Sequence, residues 1–156
     1  VVERDMSDWI GWLSETGPSR FVRGDPWAWP VIELLHIAGF ATFIGALLLL
    51  DLRVLVRRPG IALAPFARFT RPVILTGLGL ALATGALLFV GRPIEYVANP
   101  AFRTKLAFVA LALANALVFH ARSGIVRVDA VARVQAAVSI MLWFLVLGLG
   151  RFIAYV

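Results

Sequence analysis

Residues 30–50 read PVIELLHIAGFATFIGALLLL. From Pro30 to Leu50 one acid and one imidazole interrupt an otherwise apolar run, and about 20 apolar residues are what a helix needs to cross a bilayer. Three further runs follow: Pro72 to Val90, Leu106 to Phe119, and Val134 to Gly150 with an extension toward Val156. A chain of 156 residues that is 61% hydrophobic, with a mean hydropathy of +0.89, cannot build a water-soluble surface. Inside a bilayer every backbone N–H and C=O must be satisfied internally, which leaves helices or a closed barrel. The runs lack the alternation of barrel strands. The expected fold is therefore all-α, an integral membrane four-helix bundle with a short N-terminal interfacial helix.

Outward from the first span, Met6, Trp9, Ile10, Trp12 and Leu13 recur at helical spacing, with Ser7, Asp8 and Glu15 on the other side and Gly17-Pro18 as the stop. Residues 1–29 are thus expected to form an interfacial amphipathic segment, and 30–156 the four-helix domain. The leader lacks a basic start followed by an apolar core, so it does not read as a signal peptide. Pro59-Gly60, Pro65, Pro93 and Asn99-Pro100 mark connections, while Pro30 and Pro72 stand where a first helical turn tolerates a missing N–H. Trp27, Trp29, Tyr96 and Tyr155 form an aromatic belt at one face. The first connection carries Arg53, Arg57, Arg58, Arg68 and Arg71, and the third carries Arg122, Arg127 and Arg133. Those sides are expected in the cytoplasm, with both termini out.

The net charge is +6, but the basic residues flank apolar runs rather than lining a soluble basic face, so anionic lipid and not nucleic acid is the expected counter-charge. Cysteine is absent, which removes disulfides and thiolate metal sites. Gly77, Ala81 and Gly85 repeat at four-residue spacing in the second run, as do Ala38, Thr42 and Ala46 in the first. Small residues in register let helices approach closely, inside one bundle or across a homodimer or larger membrane complex.

Ionisable residues within a span are costly and point to function. Glu33 and His36 lie three apart on one helix face near the outer surface. They suit a metal as carboxylate and imidazole, or a haem iron through His36. The plainer reading pairs Glu33 with Lys105, Arg103 or Arg151 near the headgroups and gives His36 a backbone carbonyl. His120 ends the third run near the opposite face, so it is expected to cap its helix and not to share a haem with His36. A bis-histidine haem would need His36 from two copies, or a weaker second ligand. Asp51 and Arg53 suit a structural ion-pair network, and Asn115 a hydrogen bond between helices. Met141 is the only methionine within a span. No arrangement for hydrolytic catalysis can be assembled at one depth.

Five stretches carry a resemblance: Trp29-Pro30-Val31-Ile32-Glu33-Leu34-Leu35-His36, Asp51-Leu52-Arg53, Thr84-Gly85-Ala86-Leu87-Leu88-Phe89, Asn99-Pro100-Ala101-Phe102-Arg103-Thr104-Lys105, and Asn115-Ala116-Leu117-Val118-Phe119-His120. Together they resemble a bacterial family of four-span membrane proteins of unknown function. More distantly, the histidine followed by small residues in the first span and the Lys near the start of the third are similar to copper-resistance D membrane proteins and to small b-type cytochromes. The chain differs from both in having few Met, no Cys and no second histidine at the depth of His36. The resemblance implies a multi-pass protein of the bacterial cytoplasmic membrane. The expected function is the handling of a metal or haem, with copper or haem b as the cofactor, through His36 and Glu33. The alternatives are a non-catalytic accessory subunit of a larger membrane complex and a small-solute transporter.

Overall fold

The computed structural model describes residues 9–56, 62–122, 125 and 128–155. Residues 9–14 are helical (α1), followed by α2 (Gly17–Gly24), α3 (Ala28–Leu55), α4 (Leu63–Gly91), α5 (Pro93–Ala98), α6 (Pro100–Ala121) and α7 (Ala130–Phe152). Met6, Ser7, Asp8, Arg57, Arg58, Pro59, Gly60 and Arg127, to which the sequence assigned roles, lie outside the described residues. Among the described residues there is no strand.

Four helices, α3, α4, α6 and α7, are long and apolar enough to cross a membrane. In each, most of that length is not buried inside the bundle, and large side chains such as Leu34, Leu82, Leu117 and Leu147 face outward. Such surfaces suit acyl chains and not water, so the fold is an all-α bundle of a multi-pass membrane protein. Each span outruns its apolar sequence. Pro72, expected in a first turn, instead lies inside α4, nine residues after Leu63. The helix continues through Arg68 and Arg71 because basic side chains at a membrane surface can snorkel to water without ending it. The missing N–H of Pro72 removes the helical donor to the Arg68 carbonyl. Gly17-Pro18, expected as a stop, opens α2 with Pro18 in its first turn.

The helices stand in the order α4, α3, α7, α6. The tightest seam is α3–α4, then α6–α7, and α3–α7 joins the two hairpins. No Cα of α4 comes within 8 Å of one in α6 among the described residues. Between these two the gap is bridged by side chains, with Phe89 and Phe102 stacked at 5.7 Å. Without a hydrophobic drive between helices in lipid, close packing must hold the seams. At α3–α4 that packing rests on glycine: a Cβ on Gly77 would lie 2.6 Å from the Phe43 N, and one on Gly39 2.8 Å from the Ala81 N. The Gly77, Ala81 and Gly85 stripe therefore faces α3, whereas Ala38 and Thr42 of the other stripe are exposed. The core sits mid-bundle, where Phe43 meets Trp143 edge to face at 4.6 Å beside Ala112, Leu142 and Val146. A second cluster of Val54, Phe119, Ala132 and Ala136 fills the far end.

At the near end, α2 lies across the α3–α4 hairpin. Val22 packs on Gly91, and Arg23 donates to the Gly91 carbonyl at 3.1 Å and to the Ser19 hydroxyl at 2.7 Å. In α1 it is Ile10 that is buried, while Trp9 and Trp12 are 46% and 69% exposed.

Candidate functional site

His36 is held from the neighbouring helix. Its Nδ1 lies 2.9 Å from the Ala81 carbonyl and 3.2 Å from the Thr84 hydroxyl. A carbonyl only accepts, so Nδ1 carries the proton and donates to it, and in the neutral ring Nε2 keeps its lone pair. The Thr84 hydroxyl spends its own proton on the Leu80 carbonyl at 2.6 Å and is left to accept. The ring fits because position 85 is glycine: a Cβ there would lie 3.1 Å from the imidazole Cε1. Phe40, one turn further along α3, stacks on the ring at 6.5 Å. Tertiary packing, and not the local helix, thus fixes tautomer and orientation.

Charged groups of both signs surround this ring. The fields of Lys105 and Glu33 reach it. Lys105, on α6, extends toward α7, where its Nζ lies 3.4 Å from the position of a Cβ on Gly150. Glu33 is exposed and forms no ion pair within 4.0 Å among the described residues, with Lys105, Arg103 or Arg151. Above them Tyr96 of α5 packs on Phe102 at 4.9 Å and on Phe89 at 6.4 Å. Burial raises the Tyr96 phenol above its ordinary value, and the Glu33 carboxylate adds to the shift. Phe89, Tyr96 and Phe102 thus form an aromatic cluster that joins α4, α5 and α6.

The remaining candidates lie elsewhere. His120 sits at the opposite end of α6, exposed, with Nδ1 2.8 Å from the Ala116 carbonyl of its own helix. Asn115 donates to the Gln135 carbonyl at 2.9 Å and ties α6 to α7. Asp51 is buried against Ser139 of α7 and makes no ion pair among the described residues, while Arg53 donates to the Val56 carbonyl. Among the described residues, no three His, Asp or Glu side chains gather as a metal site. Sequence reasoning gave no site role to Thr84 or Ser139, and it read Tyr96 only as part of an aromatic belt. Thr84 carried a signal in the helical spacing that places it beside Ala81 and Gly85, but nothing in the sequence singles out Ser139. No protein-family profile, curated protein or solved structure matches this chain.

Proposed function

We propose that this is a haem-binding membrane protein in which the Nε2 of His36 ligates the iron. The observation that carries the reading is the Nδ1 bond to the Ala81 carbonyl, since a ligating histidine characteristically donates its other ring N–H to such an acceptor, which orients the ring and raises its basicity. The choice of haem follows from donor number. A bare ion such as copper needs several protein donors, and only Glu33 lies within a turn of His36, whereas haem brings four nitrogens and asks one or two of the protein. When bound, the group supplies one-electron chemistry. Ala81 and Thr84 orient the imidazole, Gly85 leaves it room, and Lys105 would offer a cation to a carboxylate of the bound group. A second protein ligand to the iron would come from His36 of a second copy or from a weaker donor. The basic first connection supports an orientation with both termini outside the cytoplasm, which labelling of Ser123→Cys by an impermeant reagent in intact cells would overturn.

The test is an optical spectrum and elemental analysis of protein purified from its native membrane. A Soret band that His36→Ala abolishes and His120→Ala leaves intact is expected. Copper without a Soret band would transfer the site to metal handling by Glu33 and His36. Neither, or a ligand retained after His36→Ala, would reduce the Ala81 bond to a pin between helices and leave the accessory-subunit reading in its place.

A further inference from the structure

A second polar site lies at the other end of α3, away from His36. Asp51 is 7% exposed, and its Oδ2 has no hydrogen-bond partner. Across the α3–α7 seam it meets Ser139, which is equally buried and bonds the carboxyl. One turn from Ser139 on the same side of α7 stands Gln135, whose buried Oε1 also lacks a partner. Two buried acceptors without donors therefore lie at the α3–α7 seam, one on each helix. Among the described residues no cation pairs with the carboxylate: Arg53 on α3, Arg68 and Arg71 on α4, Arg133 on α7 and His120 on α6 all lie beyond ion-pair distance of Asp51. The carboxyl also borders a shallow apolar groove between α3 and α7, lined by Ile44, Leu47, Leu48, Trp143 and Phe144, on the side that meets acyl chains.

We propose that Asp51, Ser139 and Gln135 form a binding site for a single exchangeable proton, reached from the lipid-facing groove between α3 and α7. A proton on Oδ2 converts one orphan acceptor into a donor for the acceptors of α7, and it neutralises the one carboxyl buried in this seam among the described residues. A carboxylate buried there has no counter-ion among the described residues, and ionisable groups inside membranes are costly enough to mark ion and proton sites. Ser139 is the positioning residue, holding the other carboxylate oxygen so that Oδ2 alone exchanges. The site is independent of haem.

Apolar carbodiimides partition into acyl chains and add to protonated carboxyl groups, so they test the site in the intact protein in lipid nanodiscs. Dicyclohexylcarbodiimide should label the peptide bearing Asp51, at a rate that falls about tenfold per pH unit above the midpoint of titration, as the protonated fraction does. A water-soluble carbodiimide should label it far less. Asp51→Asn should abolish the adduct, and Ser139→Ala should displace the midpoint of the pH profile while leaving helix content unchanged. Protection by sodium ions would overturn the proton assignment in favour of a metal cation held by the same oxygens. Absence of the adduct, equal labelling by the water-soluble reagent, or an adduct that survives Asp51→Asn would overturn the site. The wild-type labelling profile decides even if a variant fails to fold.

Discussion

The two histidines occupy opposite ends of the bundle and make the same bond by different means. His36 reaches the Ala81 carbonyl of another helix, 45 residues away, at 2.9 Å, whereas His120 reaches the Ala116 carbonyl of its own helix, four residues away, at 2.8 Å. The first bond exists only when α3 and α4 are packed. The second needs one helix. A ring oriented by tertiary packing keeps a fixed Nε2 and can serve as a ligand, while an exposed ring on its own helix is free to exchange its carbonyl for water. The difference lies in the glycine seam beneath His36 and not in the histidines.

Breaking that seam should therefore have the largest effect. A Cβ at Gly77 meets Phe43 backbone at 2.6 Å, so Gly77→Ala must push α3 from α4 and is expected to destabilise by about 1–3 kcal/mol, the usual range for overpacking. Gly148, on α7, has nothing within 4 Å, and Gly148→Ala should stay within about 0.5 kcal/mol of wild type. Unfolding of the two variants in the same detergent would decide it. Equal stabilities would mean that the α3–α4 contact is not the closest in the molecule. Gly77→Ala should also weaken any ligand held by His36, although it touches neither the ring nor its partners.

Removing the rings themselves gives a smaller and sharper contrast. His36→Ala deletes a hydrogen bond between helices, and such bonds within membranes average about 0.6 kcal/mol, with about 1.7 the largest measured. His120→Ala deletes a bond within one exposed helical turn and should cost less than about 0.5 kcal/mol. Nitrogen NMR of the two imidazoles offers a readout that stability does not. A fixed Nδ1–H tautomer is expected for His36 and a tautomer mixture for His120; a mixture at both positions would remove the reason for preferring His36.

The sequence shows the four spans plainly, because about 20 apolar residues have few other uses. Their ends are less legible. Residues 63–71 and 51–55 are amphipathic or charged, and nothing local says whether a helix continues through a headgroup region, so Pro72 reads as a start and is an interior residue. The Gly77, Ala81 and Gly85 stripe correctly suggests a close seam, since small residues every four positions make one smooth face. The similar Ala38 and Thr42 spacing does not, because spacing alone cannot say which face meets protein. The actual contacts of α3 come from Gly39 and Phe43, one position along. At the candidate site, Glu33 and His36 stand out by their cost in a membrane. Thr84, Tyr96 and Ser139 do not, for their roles depend on which helix faces which, and that is fixed by packing across the whole chain.

The smallest expected effect separates the two ends of the bundle by the chemistry of their helix caps. At the end near His36, α6 begins on Asn99, whose side chain accepts from the Phe102 N–H at 3.1 Å and donates to the Ile153 carbonyl at 3.1 Å. At the other end α7 begins on Asp129, which accepts from the Ala132 N–H at 2.7 Å and pairs with Arg122 at 3.3 Å. The first cap is neutral at any pH, but the second is a carboxylate, and its bond from Ala132, followed by the Arg122 charge, lowers its pKa below the ordinary 3.8. A carboxylate depressed on folding adds stability that is complete above its unfolded value and is lost as the pH falls through the folded one. The cap of α7 should therefore weaken only below about pH 4, by a small amount because Asp129 is exposed to solvent. Asp129→Asn keeps the capping acceptor, since Asn caps as well as Asp, and removes the titration. Thermal unfolding of wild type and this variant should therefore differ little at neutral pH. As the pH falls below about 4 the wild type should lose a small margin of stability, whereas the variant, with no carboxylate to protonate there, should not. Parallel melting behaviour of the two proteins below pH 4 would mean that the Arg122 and Ala132 contacts leave Asp129 unperturbed and that the two caps are equivalent.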